Sequence, residues 1–228
     1  MSLYLYINIF TICTLLFSFD KRVRYYQYFP ALLLAILITG CLFIPWDILF
    51  TQKGIWGFNK EYILGIYIQD LPLEEWLFFI TVPFSCAFIH VVLKTKVKFK
   101  IPLKYSGIVW NTLSILLLIL GLLSTSQYYT SLTFILCSIG LTVVNLFHKE
   151  FMRNYLLTYL FCLIPFMIVN SILTGSFTDA PVVWYNEAHI FGFRIGTIPI
   201  EDTIYNMLLL LMICFFTDYF YSFKKIKN

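Results

Sequence analysis

Long, uninterrupted apolar runs constrain this chain more than any other feature. Seven stretches, 3–19, 28–50, 71–93, 105–123, 130–147, 155–173 and 198–220, reach or approach the length that crosses a bilayer. A hydrocarbon core offers no water to backbone N–H and C=O groups, so each run is expected to satisfy its own as a helix. Pro30, Pro45, Pro83 and Pro165 fall within these runs and are expected to start or kink helices, not to end spans. Only 12% of residues are charged, about half the share in an ordinary soluble domain. The expected fold class is an all-α integral membrane protein with seven transmembrane helices.

Basic residues give the orientation. One set of alternating loops holds Lys21, Arg22 and Arg24, then Lys94, Lys96, Lys98, Lys100 and Lys104, then Lys149 and Arg153, and the tail Lys224, Lys225 and Lys227. The other set holds Lys53, Lys60 and Arg194. The richer set is expected in the cytoplasm, with the N-terminus outside and the C-terminus inside. The first run is preceded by no basic region and shows no small-residue cleavage site, so it reads as a retained span.

The chain also repeats itself. An ungapped offset of 127 lays Asn59 on Asn186, Gly65 on Gly192, Ile68 on Ile195, Pro72 on Pro199 and Glu74 on Glu201. It also lays Glu75 on Asp202, Phe58 on Tyr185 and Phe78 on Tyr205. The same offset carries the first three spans onto the last three. Two parallel three-helix repeats need one helix to bring the chain back across the membrane, and span 105–123 has no partner in either copy. The expected organisation is a first repeat over 1–100, a linking helix in 101–127 and a second repeat over 128–228, related by an axis near the membrane normal. The loops 51–70 and 174–197 hold glycine-centred stretches, Tyr62–Ile68 and His189–Ile195, rich in β-branched and aromatic residues. They are expected to form short strands or re-entrant pieces that fold over the acidic helix starts as a lid.

Those starts are Pro72-Leu73-Glu74-Glu75 and Pro199-Ile200-Glu201-Asp202. Proline followed by acids is also an ordinary helix start, because carboxylates sit well at the positive end of the helix dipole. Recurrence in register, on two helices of the same orientation, favours a catalytic role for Glu74, Glu75, Glu201 and Asp202. Acids at the edge of the hydrocarbon that face a cavity are functional by default. Four of them in one apolar cavity cannot all ionise, so one or two hold protons and titrate as a group.

Aromatic residues crowd the same regions. Most, such as Trp46, Trp76, Phe79, Phe191 and Phe193, fit an interfacial belt as well as a pocket. A pocket of π faces would stabilise a transient cation. Phe78 and Tyr205, four residues after Glu74 and Glu201, share their helical face. The substrate-contact set read here is Asp47, Trp56, Phe58, Asn59 and Phe78 from the first half, and Asn170, Trp184, Tyr185, Asn186 and Tyr205 from the second. Within it, Asp47 and Asn170 also suit helix-to-helix glue, and Asn59 and Asn186 suit turns. Arg194 has no counterpart and is expected to pair with an acid.

Several classes are excluded by what is missing. No dinucleotide fingerprint, P-loop, zinc-protease helix, nucleophile elbow or Asp-rich diphosphate motif is present. The six cysteines lie in apolar runs and the three histidines are scattered, so no metal and no cofactor are expected. Nucleic acid is not an expected partner, since the charge sorts by loop instead of forming a patch.

The paired P-x-E-[ED] motifs, with Trp46-Asp47, Gly54-Ile55-Trp56-Gly57-Phe58-Asn59 and Val183-Trp184-Tyr185-Asn186, resemble the lycopene cyclase domain family. These are the small, non-flavin membrane carotenoid cyclases, found as two three-helix subunits or as one fused chain. The resemblance covers nearly the whole chain. It implies an isomerase that takes lycopene from the bilayer and closes its acyclic ψ-ends to β-rings, through γ-carotene, by proton transfer without net redox. It further implies a bacterial cytoplasmic membrane location, membrane lipid as surroundings, and compatibility with a homo-oligomer or with contacts to other carotenoid-pathway enzymes. On this reading Glu74 and Glu201 are the principal acid and base, tuned by Glu75 and Asp202, and Glu74→Gln or Glu201→Gln is expected to abolish ring formation. A proton-coupled transporter, a structural subunit and a cyclase of longer C50 carotenoids, or one making ε- or γ-rings, remain alternatives on residues alone.

Overall fold

The computed structural model describes residues 2–11, 13–98 and 100–227, with side chains through residue 223. The chain is mostly helical. Among the described residues, six helices are long and apolar enough to cross a membrane: α3 (Phe29–Gln52, entered through a 3-10 turn at Tyr25–Tyr28), α4 (Leu73–Lys96), α5 (Leu103–Leu123), α6 (Tyr128–Phe147), α7 (Lys149–Leu173) and α8 (Ile200–Lys227). The first expected span is shorter. It forms α1 (Leu3–Thr11) and α2 (Thr14–Phe17); Ile12, between them in sequence, lies outside the described residues. Asn8 and Thr14 carry polar contacts from this run to α4: Asn8 donates to the Glu74 carbonyl at 3.0 Å and accepts from Thr81 at 2.7 Å, while Ser85 bonds the Thr14 hydroxyl and donates to the Thr11 backbone carbonyl. This segment is held to α4 by polar glue more than by length.

Pro30 sits in the first turn of α3, while Pro45, Pro83 and Pro165 lie inside helices, as expected. α8 is the most enclosed helix and packs against α3, α6, α4 and α7. α7 is tied to it by Tyr155, which donates to the Met207 carbonyl at 2.6 Å, and by Tyr159, which donates to the Thr203 carbonyl at 3.0 Å. α5 forms a hairpin with α6 and also touches α7. Polar contacts pin that corner: Trp110 donates to the Met152 carbonyl at 3.0 Å and Ser138 to the Ser114 carbonyl at 2.7 Å.

Three two-stranded ribbons cover the end of the bundle where α4 and α8 begin. β2 (Tyr67–Ile68) pairs with β3 (Leu71–Pro72), and β5 (Arg194–Ile195) pairs with β6 (Ile198–Pro199). The two hairpins make the same contacts at the offset of 127: Leu73 N–H donates to Ile66 at 2.8 Å, and Ile200 N–H donates to Phe193 at 3.0 Å. Gly65 and Gly192, one residue before those acceptors, have φ of +77° and +82°, which L side chains rarely adopt.

The third ribbon joins the two halves. β1 (Trp56–Phe58) runs antiparallel to β4 (Val183–Tyr185), with Gly57 opposite Trp184. Its ends close reciprocally, Asn59 N–H on the Val182 carbonyl and Asn186 N–H on the Ile55 carbonyl, both at 2.8 Å. A Cβ on Gly57 would lie 2.3 Å from the Trp184 ring, so the close crossing requires glycine.

Candidate active site

The carboxyl groups follow from how α4 and α8 start. Pro72, with φ −63° and ψ 148°, ends the hairpin in extended backbone and hands the chain directly to the helix. The first-turn N–H groups have no intrahelical partner there, and acids in that turn offset their positive end. Adjacent helical residues point about 100° apart, so each pair is split. Glu74 and Glu201 turn toward the hairpins. Glu74 Oε1 accepts the Leu64 N–H at 2.7 Å, and Glu201 Oε1 accepts the Phe191 N–H at 2.6 Å and the Thr130 hydroxyl. Both stretches expected to close over the helix starts thus do so, anchored by these two buried carboxyls.

Glu75 and Asp202 face a common cavity. Glu75 Oε2 accepts the Tyr4 hydroxyl in a very short hydrogen bond. Asp202 has three donors: Tyr129 on Oδ1 at 2.7 Å, and Asn170 at 2.7 Å and Tyr185 at 2.8 Å on Oδ2. Asp47, from α3, lines the same space and is 3% exposed, with Oδ2 lacking any hydrogen-bond partner. Burial raises the Tyr185 hydroxyl well above the usual phenol range, reinforced by the Asp202 carboxylate, so it remains a donor.

The walls are aromatic. Tyr205 stands edge-on to Phe43 and Trp46, with ring centroids 4.9 and 5.0 Å away, and Trp56 lies edge-on to Tyr129 at 4.9 Å. Phe58 and Phe78 complete the wall on the first-half side, and Val183 and Tyr185 face them from β4. Oxygen acceptors inside an aromatic box suit proton transfer to or from a hydrocarbon, with π faces ready for positive charge.

Of the residues singled out in the sequence, Asp47, Trp56, Phe58, Glu75, Phe78, Asn170, Tyr185, Asp202 and Tyr205 come together around this space. Glu74 and Glu201 lie behind it, in the hairpin anchors. Trp184 is on the other side of the ribbon, against Gly57 and 42% exposed. Asn59 and Asn186 shape turns: their Oδ1 atoms accept the N–H of Glu61 and Ala188, both at 3.1 Å. Arg194 pairs with Glu187 at 2.6 Å. Sequence reasoning missed Tyr4 and Tyr129, which supply hydroxyls to the two cavity acids, and Asn206 and Phe166, which also line the space. Among the described residues no cluster of side chains could hold a metal ion.

Bundle, apolar surface and ribbon-capped carboxyl cavity together define the class, a helical membrane protein with a carboxyl-lined aromatic pocket near one end. Its family is specific. A family model described as lycopene cyclase matches residues 1–93 and 126–220, and the chain belongs to that family. A bifunctional lycopene cyclase/phytoene synthase from Pyrenophora tritici-repentis is 36% identical over 50 residues, 22% of this chain and 9% of the fungal protein. No solved structure matches.

Proposed function

We propose that the chain is a carotenoid cyclase that closes the ψ-ends of lycopene to β-rings by proton-initiated carbocation chemistry. The observation that carries this is that Glu75 and Asp202, equivalent at the offset of 127, line one aromatic-walled cavity from opposite halves. Glu75, bonded by a single hydroxyl, is the proton donor. Its proton adds to the terminal C=C of the ψ-end and leaves a tertiary cation. The π electrons of the internal C=C attack that cation, a six-membered ring closes, and the charge moves onto a ring carbon. Asp202, whose three donors suit the carboxylate form, takes the proton that leaves, and a new C=C forms. Protons balance, so no redox partner is needed. Tyr205, Trp56 and Phe78 offer their faces to the cation, and the apolar surroundings keep water from trapping it. Glu74 and Glu201 hold the hairpins down, the reverse of the division expected from sequence.

The scaffold we infer for this chemistry is a pair of parallel three-helix repeats, α1–α4 and α6–α8, linked by α5. Matching hairpin contacts and the reciprocal β1–β4 ribbon support it, as does the family match, which omits the segment holding α5. Counting α1–α2 as a crossing gives seven spans. On that count the basic loops support an N-terminus outside and a C-terminus inside, and the membrane we propose is a bacterial cytoplasmic one; the side chains of Lys224, Lys225 and Lys227 lie outside the described residues.

Expression in a lycopene-accumulating bacterial host, with pigments resolved by chromatography, tests the reading. Cyclic carotene is the expected product. Unchanged lycopene, with the protein present in the membrane, would rule it out.

A further inference from the structure

One large apolar space is left unused by the chemistry. A groove of about 300 Å³ runs between α1–α2, α4 and α7, against about 70 Å³ in the acid cavity. The two share Phe78, Phe166, Asn170 and Asn206, so the groove adjoins the acid cavity across these four side chains. From Phe78 to Ile89 it follows α4 for about 16 Å of helix, away from the ribbons and into the bundle's mid-depth. Its rim is open to the surroundings of the bundle: Phe10 is 76% and Phe17 62% exposed.

The other half has no matching opening at the equivalent positions. At the offset of 127, Phe10 becomes Cys137, Thr14 becomes Leu141, Val82 becomes Leu209 and Cys86 becomes Ile213. All four are at most 1% exposed, packed where α6 and α3 close on α8. Asn170, at the mouth of the groove, is replaced there by fully buried Phe43. At these positions the second half is filled by packed side chains where the first borders the groove.

We propose that this groove is the seat and lateral access path of the substrate's polyene arm, while one ψ-end occupies the acid cavity. The occupant is a long, flat, apolar chain delivered from the bilayer. The groove shares a wall with the carboxyl cavity, is almost wholly apolar, and is too elongated for an end group alone. Access is one-sided, so a carotenoid always approaches with its arm beside α7 and the Asp202–Asn170 pair. The inference rests on the carotenoid reading above.

Two experiments separate its failure from the failure of that reading. The first uses the native thiols in proteoliposomes: Cys13 lines the groove, whereas Cys41 is exposed on α3 away from it. Lycopene is expected to slow alkylation of Cys13 by a lipophilic maleimide several-fold and to leave Cys41 unchanged. No protection of Cys13, equal protection of both, or the same protection by phospholipid alone would overturn the proposal, whether or not the protein makes cyclic carotene. The second uses Val82→Phe and Val169→Phe, which fill the groove, with Ile164→Phe on the exposed face of α7 as control. Conversion of lycopene should fall about tenfold or more in both blocked variants and hold in the control. Wild-type rates in both blocked variants would overturn the path; absence of cyclic carotene from the wild type would instead strike the function.

Discussion

The two acidic helix starts share a backbone and differ in their partners. In each, the first acid accepts an N–H ten residues upstream, Leu64 for Glu74 and Phe191 for Glu201. In each, the second acid faces the cavity. There the likeness ends, because Glu75 has one hydroxyl donor and Asp202 has three. The shared backbone geometry holds both hairpins over the helix starts, while the side chains around the second acids differ. A symmetrical frame with unlike carboxyls is what a reaction needs when one group gives a proton and another takes it.

The largest effects should come from removing those second acids. Glu75→Gln and Asp202→Asn should each reduce cyclisation about 10²- to 10⁴-fold, the usual range for a lost general acid or base. Glu74→Gln and Glu201→Gln keep a carbonyl oxygen for the hairpin N–H and should stay within about tenfold of wild type. Carotene formation per unit of membrane-inserted protein decides it. The opposite ranking would return the proton chemistry to the first acids.

The hydroxyl donors sharpen the contrast. Tyr4→Phe removes the one donor Glu75 has, whereas Tyr185→Phe leaves Asp202 with two. Glu75 becomes a carboxylate as it gives up its proton, and a hydrogen bond to a charged group contributes about 1.5–3 kcal/mol, roughly 10- to 100-fold in rate if fully expressed in the transition state. Tyr4→Phe should approach that loss and Tyr185→Phe should fall short of it, in initial-rate assays. Tyr185 also predicts a pH effect on stability. Its hydroxyl is raised in the folded chain, so its contribution is intact below the unfolded-chain value of about 10 and is lost as pH climbs above that. Tyr185→Phe should flatten the alkaline fall in thermal stability.

How much of this was visible in the sequence follows from which forces act locally. The long helices were legible because apolar length and internal hydrogen bonding are properties of a single segment. Within the first run, the contacts that Asn8 and Thr14 make with α4 are tertiary, and no local pattern reveals them. The acids were legible as a set, but neighbours on one helix face different directions, and only tertiary placement decides which meets the hairpin. Tyr4 and Tyr129 were lost among interfacial aromatics, since a tyrosine at the head of an apolar run has the same sequence appearance in either role. Trp184 was a different kind of miss. Side chains alternate along a strand, so Val183 and Tyr185 facing the cavity require Trp184 to face away, as Trp56 and Phe58 require of Gly57.

The smallest effect asks whether the two hairpins are still equivalent. Gly65 and Gly192 occupy the same left-handed conformation, and an added Cβ meets no atom within 4 Å at either place. Steric crowding therefore drops out, leaving the backbone term, about 1–2 kcal/mol for a non-glycine residue in that region. Gly65→Ala and Gly192→Ala should each lower stability by about that amount and by nearly the same amount as each other. Thermal unfolding in detergent gives the comparison. If one variant loses several times more, the two hairpins are not equivalent in how firmly their surroundings fix that conformation. Such an outcome would bear on access: the first hairpin is anchored beside α1, which lines the open groove, and the second beside α6, in the half whose equivalent positions are filled.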